Sequence, residues 1–138
     1  MILEYAQLLC TCHLLLDELN PSEHPWLYKA THKNHPCSIW VRSSSENYKW
    51  LYGLFCELCD EYTHRYGKIH KTDTRLRSVL ATLPNEIPQR DSFTNLPCCM
   101  PDSCKFSTST IENYREYYRI EKKHFCKWTK REIPKWFY

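Results

Sequence analysis

Glu4 is the carboxylate best placed for chemistry, because it stands near the start of an otherwise apolar N-terminal run. A carboxylate there either complements the positive end of a helix or works as an acid–base group whose pKa an apolar wall tunes by desolvation. Two short clusters, His32-Lys33-Asn34-His35 and Cys10-Thr11-Cys12-His13, carry residue types that bind metals or pair a thiol with an imidazole. A catalytic Cys–His pair needs one low-pKa thiol beside the ring. With nine cysteines and seven histidines, chance proximity is also expected. Cys56 and Cys59 have CxxC spacing, and Cys98, Cys99 and Cys104 offer a second set, but 38 residues separate Cys59 from Cys98. That is too far for a compact zinc ribbon, and Cys56 and Cys59 also fit a helix as small apolar residues. No metal or other cofactor is expected. Only two glycines occur, too few for a dinucleotide fingerprint or a nucleophile elbow. The Gly67-Lys68 pair lacks the earlier glycine of a Walker loop, since Tyr62 stands there.

The second chemical feature is a basic, aromatic C-terminus. Residues 105–138 hold nine bases and four acids, residues 1–28 hold four acids and no Lys or Arg, and the whole chain of 138 residues is +3. Cations neutralise phosphates and aromatic faces stack on exposed bases. Arg115, Arg119, Lys122, Lys123, Lys127, Lys130 and Lys135, with Arg42 and Lys49 upstream, are the expected phosphate contacts. Trp128 and Trp136 are the expected stacking or wedge residues, and His32 and His35 border the site. An alternative stays open for Tyr114, Tyr118 and Phe125, whose helical spacing suits a core as well as a surface.

These residues need helices to hold them. Apolar residues recur every three to four positions over 1–19, and Asn20-Pro21 stops the run. Residues 21–42 read as a loop with Cys37 to Val41 extended. A second helix opens near Ser43, where Ser43 and Glu46 have capping-box spacing, carries Tyr48, Leu51, Phe55, Leu58 and Tyr62 on one stripe, and stops at Gly67. A short helix covers 72–83, capped by Thr72 or Asp73. Residues 84–109 read as a long irregular connection. The last helix opens at Ser109 and runs on to Ile133-Pro134. The fold class is therefore mostly α: one compact domain over 1–138, with about three main helices and long irregular loops. No apolar run approaches the ~18–20 residues that span a bilayer. The N-terminus lacks the basic start of a secretion signal, so reduced thiols in a cytoplasmic setting are expected.

Two segments carry a resemblance. His35-Pro36-Cys37-Ser38-Ile39-Trp40, running into the helix over 42–67, resembles phage-encoded proteins related to pyrimidine-dimer DNA glycosylases of the endonuclease V type. The closing Lys127-Trp128 and Trp136-Phe137-Tyr138 are similar to that family's basic aromatic tail. The resemblance spans most of the chain. It implies a compact helical domain that binds damaged duplex DNA and flips a base, as a monomer in the host cytoplasm without membrane association. In the family an N-terminal α-amine attacks the sugar C1′, and β-elimination resolves the Schiff base without a metal. A glutamate on the first long helix stabilises the sugar cation, and Glu4 matches it. The family also places a nucleophilic terminus, an arginine and a histidine ahead of that glutamate, whereas only Met1, Ile2 and Leu3 precede Glu4 here. The chain is thus expected to lack the N-terminal arm and, if it begins at Met1, to show weak or no glycosylase activity. The competing expectation is a non-catalytic viral module that binds nucleic acid or protein through the basic aromatic C-terminus.

Overall fold

The computed structural model describes residues 1–92 and 94–137; Phe93 and Tyr138 lie outside the described residues. Every regular element among those residues is helical, so the mostly-α expectation holds. The chain divides into two compact units, Met1–Thr94 and Asn95–Tyr138.

The first unit is built from α1 (Ile2–Leu16), α2 (Pro36–Arg42), α3 (Ser45–Tyr66) and α4 (Lys71–Leu80). Helix α1 lies at its centre and packs on the other three. Its Ala6, Leu9, Cys10 and Cys12 are buried with Trp40 and Val41 of α2, Tyr48, Leu51 and Phe55 of α3, and Leu76 and Leu80 of α4. A helix as apolar as α1 must be covered on most sides, and three partners do this.

The segment over 37–41 is helical, not extended. Ile39-Trp40-Val41 has the β-branched and aromatic composition of a strand. Pro36 stands at the first helical position, where its missing N–H costs nothing, and His35 Nδ1 accepts from the Cys37 N–H at 3.1 Å. Helix α3 is capped by Ser44, whose Oγ accepts from the Asn47 N–H at 3.0 Å, one residue later than the Ser43–Glu46 spacing suggests. Helix α4 opens at Lys71 under His70, whose Nδ1 accepts from Thr72 N–H at 3.1 Å, so neither Thr72 nor Asp73 is its cap.

Part of the expected irregular connection is anchored. The Asp17 carboxylate accepts from Asn85 and Glu86 N–H at 3.0 and 2.9 Å. Ser45 N–H donates to the Pro88 carbonyl at 2.8 Å. Fully buried Asn47 accepts from Thr94 N–H at 2.9 Å and donates to the Trp40 carbonyl at 2.8 Å. A buried amide with its donors and acceptor satisfied fixes its surroundings.

The second unit is built around α5 (Thr110–Ile120), with single 3₁₀ turns at Asp102–Cys104, Lys123–Phe125 and Lys135–Phe137. Ser109 caps α5, accepting from Glu112 N–H at 3.4 Å, as its spacing predicts. The helix ends at Ile120, well before Ile133-Pro134. The tail instead turns back, and Trp128, Trp136 and Phe137 form a ring cluster with edge-on contacts of 5.3 to 6.5 Å. A short helix with an apolar side needs tertiary cover, and a continuous helix to residue 133 would leave that side open.

Candidate nucleic-acid interface

The expected contact residues are most concentrated in the second unit. Between Lys122 and Lys135 the chain places six bases and one acid, Glu132. Lys123, Lys127, Lys130, Arg131 and Lys135 are exposed, and Lys122 is half-buried. A tight turn presents two of them: Lys130 adopts a left-handed φ of 56°, and Arg131 N–H donates back to the Trp128 carbonyl at 3.0 Å. Lys122 lies 5.4 Å from the Tyr117 ring centre and 5.5 Å from that of Phe125. Such contacts hold a cation over an aromatic face.

Arg115 and Arg119 are more deeply engaged. Arg115 pairs with Glu112 at 2.8 Å, and its guanidinium lies 5.6 Å from the Trp136 ring centre. Arg119 pairs with Glu116 at 2.7 Å and donates to the Trp136 carbonyl at 3.1 Å, tying the tail to α5. The sequence grouped these arginines with the lysines as equal phosphate contacts. Their partners give them a second task, holding the tail.

An apolar groove of about 270 Å³ opens beside them. Ile111, Tyr114, Arg115 and Tyr118 form one wall from α5, and Cys126, Trp128 and Trp136 form the other from the tail. The Tyr114 hydroxyl donates to the Pro97 carbonyl at 3.1 Å, and its ring lines the groove. Burial raises the Tyr118 pKa, keeping that hydroxyl neutral. The four α5 residues sit at i, i+3, i+4 and i+7, and the helical spacing of Tyr114 and Tyr118 was legible in the sequence. What it could not show was that the tail folds back opposite them. Phe125, grouped with them by spacing, is 65% exposed.

The other expected site residues belong to the first unit. Glu4 is exposed, and its carboxylate lies 2.7 Å from the Met1 amine. Hydrogen bonding to that amine holds its pKa below the usual carboxylate range and outweighs desolvation, so no apolar wall sets its titration. A cavity of about 310 Å³ brings Glu4 together with His32, His35 and Cys37, over Tyr5 and Leu8. Its rim is pinned where Thr31 N–H donates to Thr11 Oγ1 at 3.1 Å. Arg42 is half-buried and donates to Ser38 Oγ at 3.1 Å, while Lys49 pairs with Glu46 at 3.1 Å.

The Cys10–His13 cluster is interior. Burial pushes the Cys10 thiol up to about 11 and that of Cys12 to about 12, so both stay protonated and unreactive at neutral pH. His13 packs edge-on against Tyr48. Cys56 and Cys59 lie on α3, with Cys59 buried and its thiol raised to about 12 by desolvation. No disulfide joins any of the nine cysteines. Among the described residues, no helix is long and apolar enough to cross a membrane.

Comparison of the chain with models of protein families, with curated proteins and with solved structures finds no match.

Proposed function

We propose that the chain binds damaged duplex DNA through residues 110–137, in the manner of the pyrimidine-dimer glycosylases it resembles. One observation carries this reading: the run of six cations over 122–135, turned back beside the half-buried Trp128 and Trp136. Phosphate neutralisation supplies most of the affinity in such an interface, and flanking rings hold bases. Glu4 is assigned the catalytic carboxylate. Its lowered pKa keeps it ionised at neutral pH, as stabilising a developing sugar cation requires.

Fluorescence anisotropy with matched duplexes, one containing a thymine dimer, tests the reading across a salt series. Expected are affinity that falls steeply with salt, tighter binding to the dimer duplex, and loss in Glu4→Gln of whatever turnover of that duplex occurs, while binding survives. Binding without dimer preference would leave a non-catalytic nucleic-acid module in place of the repair reading. Absence of salt-dependent binding refutes both.

A further inference from the structure

We infer that the turn between α3 and α4 holds a small phosphate monoester on Lys68, His70 and Lys71. These residues lie in the first unit, so the inference goes beyond the DNA-binding reading and does not depend on it. Tyr62, Lys68, Ile69, His70 and Lys71 line a cavity of about 290 Å³, and none of them is acidic. The volume lies just under the roughly 300–1,000 Å³ of drug-sized pockets, which leaves room for a phosphate and the ring that bears it.

The surrounding charges single out the two lysines. Residues 60–77 carry three acids and five lysines or arginines. Arginine engages every one of those acids: Arg65 pairs with Glu61 at 2.8 Å, and Arg77 with Asp60 at 2.7 Å and Asp73 at 3.3 Å. Arg75 donates to the Trp26 and Pro25 carbonyls at 2.7 and 2.9 Å. Lys68 and Lys71 remain, both exposed, and neither forms an ion pair among the described residues. Like charges on one cavity repel, and an anion seated there relieves the repulsion.

His70 adds an oriented donor. Its Nδ1 accepts from the Thr72 N–H at 3.1 Å, so the proton of the neutral ring sits on Nε2. The ring is held edge-on to Tyr62, with centres 4.9 Å apart. Gly67 closes α3 and His70 caps α4, which fixes both ends of the short turn. A phosphate monoester carries about −1.5 to −2 charge at pH 7 and three terminal oxygens, which matches two ammonium groups and one N–H. A phosphate of the DNA backbone carries a single charge and is esterified on both sides, so the site favours a monoester over the duplex. Tyr62 and Ile69 offer ring and aliphatic surface to the group that the phosphate bears.

Isothermal titration of the full chain with dTMP, inorganic phosphate, thymidine and dimethyl phosphate tests the assignment. dTMP and inorganic phosphate should bind. Thymidine, which lacks the phosphate, and dimethyl phosphate, a diester, should bind at least about tenfold more weakly than dTMP. Replacing Lys68 and Lys71 together with Gln should weaken dTMP by at least about tenfold, since both charge-assisted contacts are lost. Lys29→Gln with Lys33→Gln removes the same charge from two exposed lysines elsewhere in the first unit and should leave dTMP affinity within about twofold. As a measurement free of any variant, dTMP should shift the amide NMR signals of residues 68–71. Absence of dTMP binding overturns the assignment, as does dimethyl phosphate that binds as tightly as dTMP. Equal losses in the two double variants, or shifts confined to residues 110–137, overturn it as well. Each of these failures leaves the DNA-binding reading intact, because that reading is tested on duplexes and on the other unit.

Discussion

At the scale of single residues, the best-determined network is interior and structural. The Tyr48 hydroxyl has one proton, and it goes to the Leu80 carbonyl at 2.7 Å, because a carbonyl can only accept. The 2.8 Å contact with His13 Nε2 therefore has the imidazole as donor. Burial lowers the His13 pKa from its ordinary 6.5 and raises that of Tyr48, so both are neutral in the fold. The linkage has a definite sign. The unfolded chain takes up a proton at His13 near pH 6.5, and the folded chain does so only at lower pH. Between those values the unfolded state binds more protons, so stability falls as pH drops below 6.5 and is unaffected above it. Urea denaturation at pH 7.5 and pH 5 should show this loss, and the loss should shrink in His13→Gln. Tyr48→Phe strands the His13 N–H and the Leu80 carbonyl and should cost about 1–3 kcal/mol at neutral pH. An unchanged denaturation midpoint would show that water reaches both groups.

At the scale of elements, the two glycines of the chain make opposite predictions within one helix. Gly53 is exposed in the middle of α3, and a Cβ added there meets nothing within 4 Å. Gly53→Ala should raise stability by about 0.5–1 kcal/mol by removing backbone freedom from the unfolded chain. Gly67 ends α3 at φ 67°, and its N–H donates to the Thr63 carbonyl at 2.9 Å. Gly67→Ala should therefore cost about 1 kcal/mol, because a Cβ is disfavoured in the left-handed region. Thermal melts of the two variants read the pair directly. The same helix shows why much of the fold was legible: its stripe and its glycine stop are local signals. Helices α2 and α4 were harder to place because both are capped by histidine, which is not among the usual capping residues. A ring Nδ1 can accept like a serine hydroxyl, but sequence gives no sign of which histidines do so. The end of α5 was illegible for another reason. Its cause is the return of Trp128 and Trp136 onto the helix, a tertiary contact that helical periodicity carries past.

At the scale of the whole molecule, the +3 net charge divides unevenly. Residues 1–94 hold ten bases and eleven acids, for −1, and residues 95–138 hold nine and five, for +4. This asymmetry was visible in the sequence, since counting needs no structure. The division of labour among the cations was not, because it depends on which of them are drawn to neighbouring side chains. Lys49 is drawn to Glu46 and Arg42 to Ser38, whereas Lys123 is exposed within the cationic run. Each phosphate that a substitution leaves without its cation should lower the slope of log affinity against log salt by about 0.9 on duplex DNA. Replacing Lys122, Lys123 and Lys127 together with Gln should thus flatten the slope by about 2–3, while Arg42→Gln with Lys49→Gln flattens it by about 1 or less. Far-UV circular dichroism should be unchanged in both variants, because none of the five side chains is in the buried core. If the two substitutions in the first unit flatten the slope as much as the three in the tail, the DNA is held by the near-neutral helices, and the cationic tail is not its anchor.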